Sequence, residues 1–157
     1  MANFAYIDGN NLKRGIESQG WKLDYGRFRT YLRDKYDVAV AYYFIGYVAS
    51  QKPLYSHLRA AGFTLIFKPT FRGPTGKVKG NCDAELVLQA MIDFERYEKA
   101  VLVTGDGDFA CLAQYLESKG KLRMVIAPSF HGCSSLLKRN IRNLTIMENV
   151  RNRLEYK

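Results

Sequence analysis

The chain has 157 residues, 47% hydrophobic and 25% charged, a size and composition that suit one folded domain and exclude a disordered or low-complexity protein. It carries 24 Lys and Arg against 15 Asp and Glu, a formal net charge of +9 that suits a polyanionic partner such as nucleic acid. No apolar run approaches a membrane span, and the opening MANFAYIDG lacks the charged-then-apolar pattern of a secretion signal, so no membrane partner is expected. Cys82, Cys111 and Cys133 are odd in number and have no C-x-x-C spacing. They argue for the reducing cytoplasm and against a zinc site or a disulfide frame.

In chain order, Asn3–Ile7 reads as a short apolar strand that ends at Asp8-Gly9-Asn10-Asn11. Gly9 lets the backbone swing, and Leu12 and Ile16 then mark a helix on which Asn11 lies near the side of Asp8. An acid just past a strand, followed by amides, can hold a cation and its water; the bland reading is an Asx turn that starts the helix. Leu23–Tyr36 has helical spacing at Phe28, Tyr31 and Leu32, and Val38–Ile45 is a buried strand. Ser50–Ala61 is a helix with Pro53 early, Gly62 ends it, and Phe63–Phe67 is a third strand.

Lys68–Lys79 changes character. It combines two prolines and two glycines with Phe71 and the cations Lys68, Arg72, Lys77 and Lys79. Cations interleaved with an aromatic grip single-stranded nucleic acid through phosphates and a stacked base, so these five residues are the expected RNA-binding set. The alternative is a solvated hairpin that is basic by accident. Asn81-Cys82-Asp83 leads into an apolar helix over Ala84–Glu95. Asp83 at its start has a structural reason in the helix dipole. Glu85 lies roughly 200° further round, so only one of the two acids faces a common point.

Ala100–Val103 is a strand buried on both faces, and Thr104-Gly105-Asp106-Gly107-Asp108 turns from it into a helix carrying Phe109, Leu112, Ala113 and Leu116. Gly107 permits a tight turn that bends Asp106 and Asp108 toward one point; a helix cap at Asp108 is the bland reading. Leu122–Ala127 is a fifth strand, Ser129–Leu137 a turn into a short helix, and Leu144–Met147 an edge strand. The tail Glu148–Lys157 is polar and basic and reads as a frayed helix of the same domain.

Strands alternating with helices imply an α/β fold with a mostly parallel sheet covered on both faces, whose sites lie beyond the carboxyl ends of the strands. Asp8 and Asp106–Asp108 follow strand ends, and Asp83 reaches the same rim. Three or four carboxylates there make a cage for Mg²⁺ or Mn²⁺, hard cations that prefer oxygen ligands. A pair of such ions roughly 3.5–4 Å apart activates water and stabilises the leaving oxygen of a phosphodiester. In that scheme Asp8, Asp83 and Asp106 are the ligands, Asp108 completes the cage or holds one of the cation's waters, and Asn11 orients Asp8 or a substrate oxygen.

Phe4–Leu12 (FAYIDGNNL), Lys79–Met91 (KGNCDAELVLQAM) and Val101–Phe109 (VLVTGDGDF) resemble the three signature blocks of the LabA-like NYN domain family, within the PIN-like nuclease superfamily. The resemblance runs from about Asn3 to Leu137 and implies a three-layer α/β/α sandwich with a metal-dependent ribonuclease site. It aligns the family's first acid with Asp8, its amide with Asn11, the acid after Lys-Gly with Asp83, and the final pair with Asp106 and Asp108. Many members have Val directly before the second acid after a shorter link, where this chain has Asn81-Cys82.

The expected function is hydrolysis of RNA by a metal-dependent ribonuclease. The competing reading is a non-catalytic RNA-binding or regulatory module that keeps the acidic pocket. A haloacid-dehalogenase site needs Asp two residues after its nucleophilic Asp, and Asn10 stands there. No G-x-G-x-x-G turn follows the first strand, and His57 and His131 have no Ser or Cys partner in sequence. The oligomeric state is open, a homodimer included.

Overall fold

The computed structural model describes residues 1–69, 71–72, 78–79 and 82–157, with side chains over 1–68 and 82–157. Strand β1 (Asn3–Asp8) is followed by α1 (Gly9–Ser18) and α2 (Tyr25–Tyr36), β2 (Val38–Tyr47), α3 (Lys52–Ala60) and β3 (Thr64–Pro69). A two-stranded antiparallel hairpin, β4 (Phe71–Arg72) with β5 (Val78–Lys79), precedes α4 (Asp83–Ile92). Then come β6 (Ala100–Val103), α5 (Ala110–Ser118), β7 (Leu122–Ala127), α6 (Ser135–Asn140), β8 (Leu144–Ile146) and α7 (Arg151–Leu154).

The six long-range strands form one parallel sheet in the order β3-β2-β1-β6-β7-β8. Alternation along the strands sends side chains to two separate cores. Ala5 and Ile7 of β1 and Val101 and Val103 of β6 face Leu12, Phe28, Leu58 and Leu154, under α1, α2, α3 and α7. Phe4, Tyr6, Ala100 and Leu102 face Leu86, Ala113 and Leu137, under α4, α5 and α6. The result is the expected three-layer α/β/α sandwich. The strand order reverses between β1 and β6, so the crevice beyond their carboxyl ends is the switch point at which such sheets take ligands.

Element ends have local causes. Asp24 caps α2 by accepting from Arg27 N at 3.0 Å, which starts that helix two residues after Leu23. The expected helix to Glu95 stops at Ile92, because Asp93 turns inward, is wholly buried, and accepts from the Tyr6 hydroxyl at 2.8 Å. Gln89 Nε2 and Arg96 Nη1 also donate to Asp93, at 3.1 and 3.0 Å. Asp93→Ala leaves the buried Tyr6 phenol and Gln89 Nε2 without their acceptor, while Arg96 is free to turn to solvent, so it should destabilise the fold by about 2 kcal/mol in chemical denaturation.

The tail is not frayed. Leu154 is fully buried, Leu154 O accepts from Asp24 N at 2.9 Å, and Tyr156 N donates to Lys22 O at 2.8 Å. Its basic residues pack on rings, Arg151 over Trp21 and Arg153 over Tyr31. Composition hid this docking, because only Leu154 and Val150 are its apolar anchors and the rest of the contact is backbone hydrogen bonds and arginine stems. No helix among the described residues is long and apolar enough to cross a membrane.

Candidate active site

The acids come together through backbone placement. Asp8, the last residue of β1, caps α1 by accepting from Asn11 N at 3.3 Å through Oδ1. Its Oδ2 accepts from Thr104 Oγ1 at 3.0 Å, just past the end of β6. Thr104 Oγ1 in turn accepts from Asp106 N at 3.0 Å, and Asn11 Oδ1 accepts from Gly105 N at 2.8 Å. One buried threonine and one asparagine thus lock the β1 rim to the β6 rim. Asp83 arrives from the other layer as the first residue of α4.

One carboxylate oxygen from each of Asp8, Asp83 and Asp106 lies within 4.8 Å of the other two. The three line a cleft of about 360 Å³ together with Asn10, Lys13 and Arg14. A larger cleft of about 540 Å³, lined by residues including Asp24, Arg27 and Arg153, lies by α2 and α7 and gathers no such acids. Burial, joined by the charges of Asp83 and Asp106, pushes the Asp8 carboxyl up to about 6, against the lowering effect of its bonds from Asn11 and Thr104. Three converging carboxylates, one of them kept from ionising freely by burial and by its acidic neighbours, fit a hard divalent cation, whose charge would offset both.

Asp108 is placed differently. Asp106 Oδ1 accepts from Asp108 N at 2.9 Å, capping a 3₁₀ turn over Gly107–Phe109. That turn carries the Asp108 side chain to the exposed side, outside the three-oxygen group. The expectation that Gly107 bends both acids to one point therefore holds for the geometry of Asp106 alone. Asn11 anchors the rim through Gly105 rather than lining the acid cleft. Glu85 pairs with Lys68 at 3.5 Å and is not part of the three-oxygen group.

Among the residues expected to bind RNA, Lys68 is thus engaged by Glu85. The backbones of Phe71, Arg72 and Lys79 lie in the β4–β5 hairpin, their side chains outside the described set, and Lys77 lies outside the described residues. Sequence reasoning did not single out Lys13 and Arg14, the cations of the cleft. Their signal was the spacing, since residues three and four after Asn10 share its side of α1.

The glycines here supply room, not unusual dihedrals. A Cβ at Gly9 would stand 2.6 Å from Phe44 O and from a Tyr43 ring carbon, and no positive φ occurs at Gly9 or Gly107. Gly9→Ala should therefore cost about 1–3 kcal/mol and lower the melting temperature, because backbone and a buried ring must both yield.

The class so defined is a three-layer α/β protein with a candidate cation site, three carboxylates gathered beyond its strand ends at the switch point. The NYN domain model matches residues 4–147, so the chain belongs to the NYN domain family, a PIN-like nuclease family. It is 26% identical over 150 residues to the low amplitude and bright protein LabA of Synechococcus elongatus, covering 89% of this chain and 78% of that protein. A crystal structure of a protein of unknown function from Vibrio parahaemolyticus superposes with a TM-score of 0.79 at 21% identity, over 99% of this chain and 96% of that one. That likeness is one of fold.

Proposed function

We propose that this NYN domain is a metal-dependent ribonuclease that hydrolyses phosphodiester bonds of RNA at the Asp8, Asp83 and Asp106 cleft. The convergence of those three carboxylates from three separate elements carries the reading. A bound Mg²⁺ or Mn²⁺ would supply Lewis-acid stabilisation of the phosphoryl oxygens and lower the pKa of water. The chain's own residues do the rest. Asp8, Asp83 and Asp106 hold the cation, and Thr104 and Asn11 fix Asp8 and the β6 turn so that the oxygens need not reorganise. Lys13 and Arg14 offer positive charge to the strand on the wall of the same cleft. Asp108, exposed at the rim, stands where it can accept from a water or a substrate hydroxyl. The basic β4–β5 segment, with Phe71, Arg72, Lys77 and Lys79, extends the grip on RNA in this reading. The three free cysteines, Cys111 exposed, accord with a reducing cytoplasm.

The test is cleavage of labelled single-stranded and structured RNA by the purified protein with Mg²⁺ or Mn²⁺ against a chelator. Cleavage that needs the cation supports the proposal. RNA that is bound and never cut under any of these conditions would instead favour a binding module that keeps the acidic pocket.

A further inference from the structure

Arg14 stands between two clefts. On one side it lines the acid cleft; on the other it lines a second cleft of about 300 Å³ with Asn11, Ser18, Ser129, His131 and Gly132. Among the described residues, the second cleft has no carboxylate in its wall. Arg14 is exposed and enters no ion pair among the described residues. Ser129 is 6% exposed; its Oγ accepts from Gly132 N at 3.0 Å, and its own proton has no acceptor among the described residues. A buried hydroxyl with a proton to give, beside a guanidinium and an imidazole and facing no acid, fits an anionic oxygen ligand.

The same turn displays an aromatic ring. Phe130 is 54% exposed, yet it is held. Its backbone N donates to Glu148 Oε1 at 2.7 Å, Lys138 Nζ sits 3.7 Å from the ring centroid, and the His131 ring meets it edge-on at 5.9 Å. An exposed ring fixed at its backbone, next to an acid-free donor cleft, has the two features that grip a single strand: a place for a phosphate and a face for a base.

We propose that the cleft between α1 and the Ser129–Gly132 turn binds a neighbouring phosphodiester of the RNA strand whose scissile bond lies over Asp8, Asp83 and Asp106, and that Phe130 stacks an adjoining base. The strand then passes over Arg14, which serves both clefts. This subsite rests on the ribonuclease reading and adds a direction to it, leading from the switch point across the β7 side of the sheet.

Fluorescence anisotropy with a labelled oligouridylate of about 12 nucleotides, within the span that one basic groove covers, tests it. The full chain carries Asp106→Asn throughout, so that the strand stays whole, and Mg²⁺ is present. Adding Arg14→Ala or His131→Ala should weaken binding about tenfold, and Arg14→Ala should also flatten the dependence of log Kd on log salt by about 0.7, one phosphate contact. Phe130→Ala should weaken binding to a similar degree and leave that slope unchanged, because stacking carries no counterion release. Lys35→Ala, an exposed cation on α2 at the opposite end of the sheet, controls for general charge and should change neither quantity. Binding by the parent that neither His131→Ala nor Phe130→Ala weakens would overturn the subsite, whatever Arg14→Ala does, and leave the ribonuclease reading standing. Failure of the parent to bind the oligonucleotide at all would overturn both.

Discussion

Asp106→Asn should reduce cation-dependent RNA cleavage about 1000-fold or more while the protein stays folded. The two effects separate because Asp106 has two roles. Its Oδ1 accepts from Asp108 N and caps the 3₁₀ turn, and an asparagine oxygen accepts that bond equally. Its negative charge, in contrast, belongs to the group of three oxygens within 4.8 Å, and an amide supplies neither that charge nor a second acceptor. Loss of one charged ligand of three removes several kcal/mol of the stabilisation a divalent cation gives a phosphoryl transition state, which is the stated loss in rate. Cleavage of labelled RNA at saturating Mn²⁺, followed beside the melting temperature, measures both. A variant that cuts at the unsubstituted rate would place the activity elsewhere.

The acids Asp8, Asp83 and Asp106 were legible because each sits at a junction that sequence marks well: the end of an apolar strand, or the first turn of an apolar helix. A parallel sheet then has one rim for all such junctions, so their convergence followed from fold class without any contact being known. What the pattern could not carry was the direction of a short turn. Asp106 and Asp108 are equivalent as a spacing, and only the cap bond from Asp108 N to Asp106 Oδ1 decides which of them faces the cleft. Gly9 looks in sequence like a swivel, yet what the fold needs there is space beside Phe44 O and Tyr43, set by a neighbouring strand 35 residues away in sequence. Lys13 and Arg14 escaped for a related reason: whether an exposed cation on a helix faces solvent alone or a carboxylate cleft depends on which crevice that helix borders.

Asp8→Asn should move stability and cation binding in opposite directions. The folded protein holds the Asp8 carboxyl up to about 6, against 3.8 for the free side chain, chiefly through burial. Between those values the native state binds more protons than the unfolded state, so stability falls as pH rises through that window. Below about pH 4 both states are protonated and the penalty is absent; above about pH 6 it is complete, on the order of 3 kcal/mol. Asparagine at this position carries no charge to bury. It keeps an oxygen to accept from Asn11 N and cap α1, and it loses the acceptor that Thr104 Oγ1 now uses at 3.0 Å, a cost of about 1 kcal/mol. At pH 7.5 in chelator the variant should therefore be more stable by about 1–2 kcal/mol, a difference that crosses zero as the pH falls and leaves the variant less stable by about 1 kcal/mol toward pH 4. Added Mn²⁺ should reverse the order, raising the melting temperature of the unsubstituted protein by linkage and leaving the variant almost unmoved. Denaturation curves from pH 4 to 8, with and without Mn²⁺, read both halves. A pH-independent gap between the two proteins would deny that Asp8 carries a buried charge. A cation response that survives the substitution would remove Asp8 from the metal's ligands.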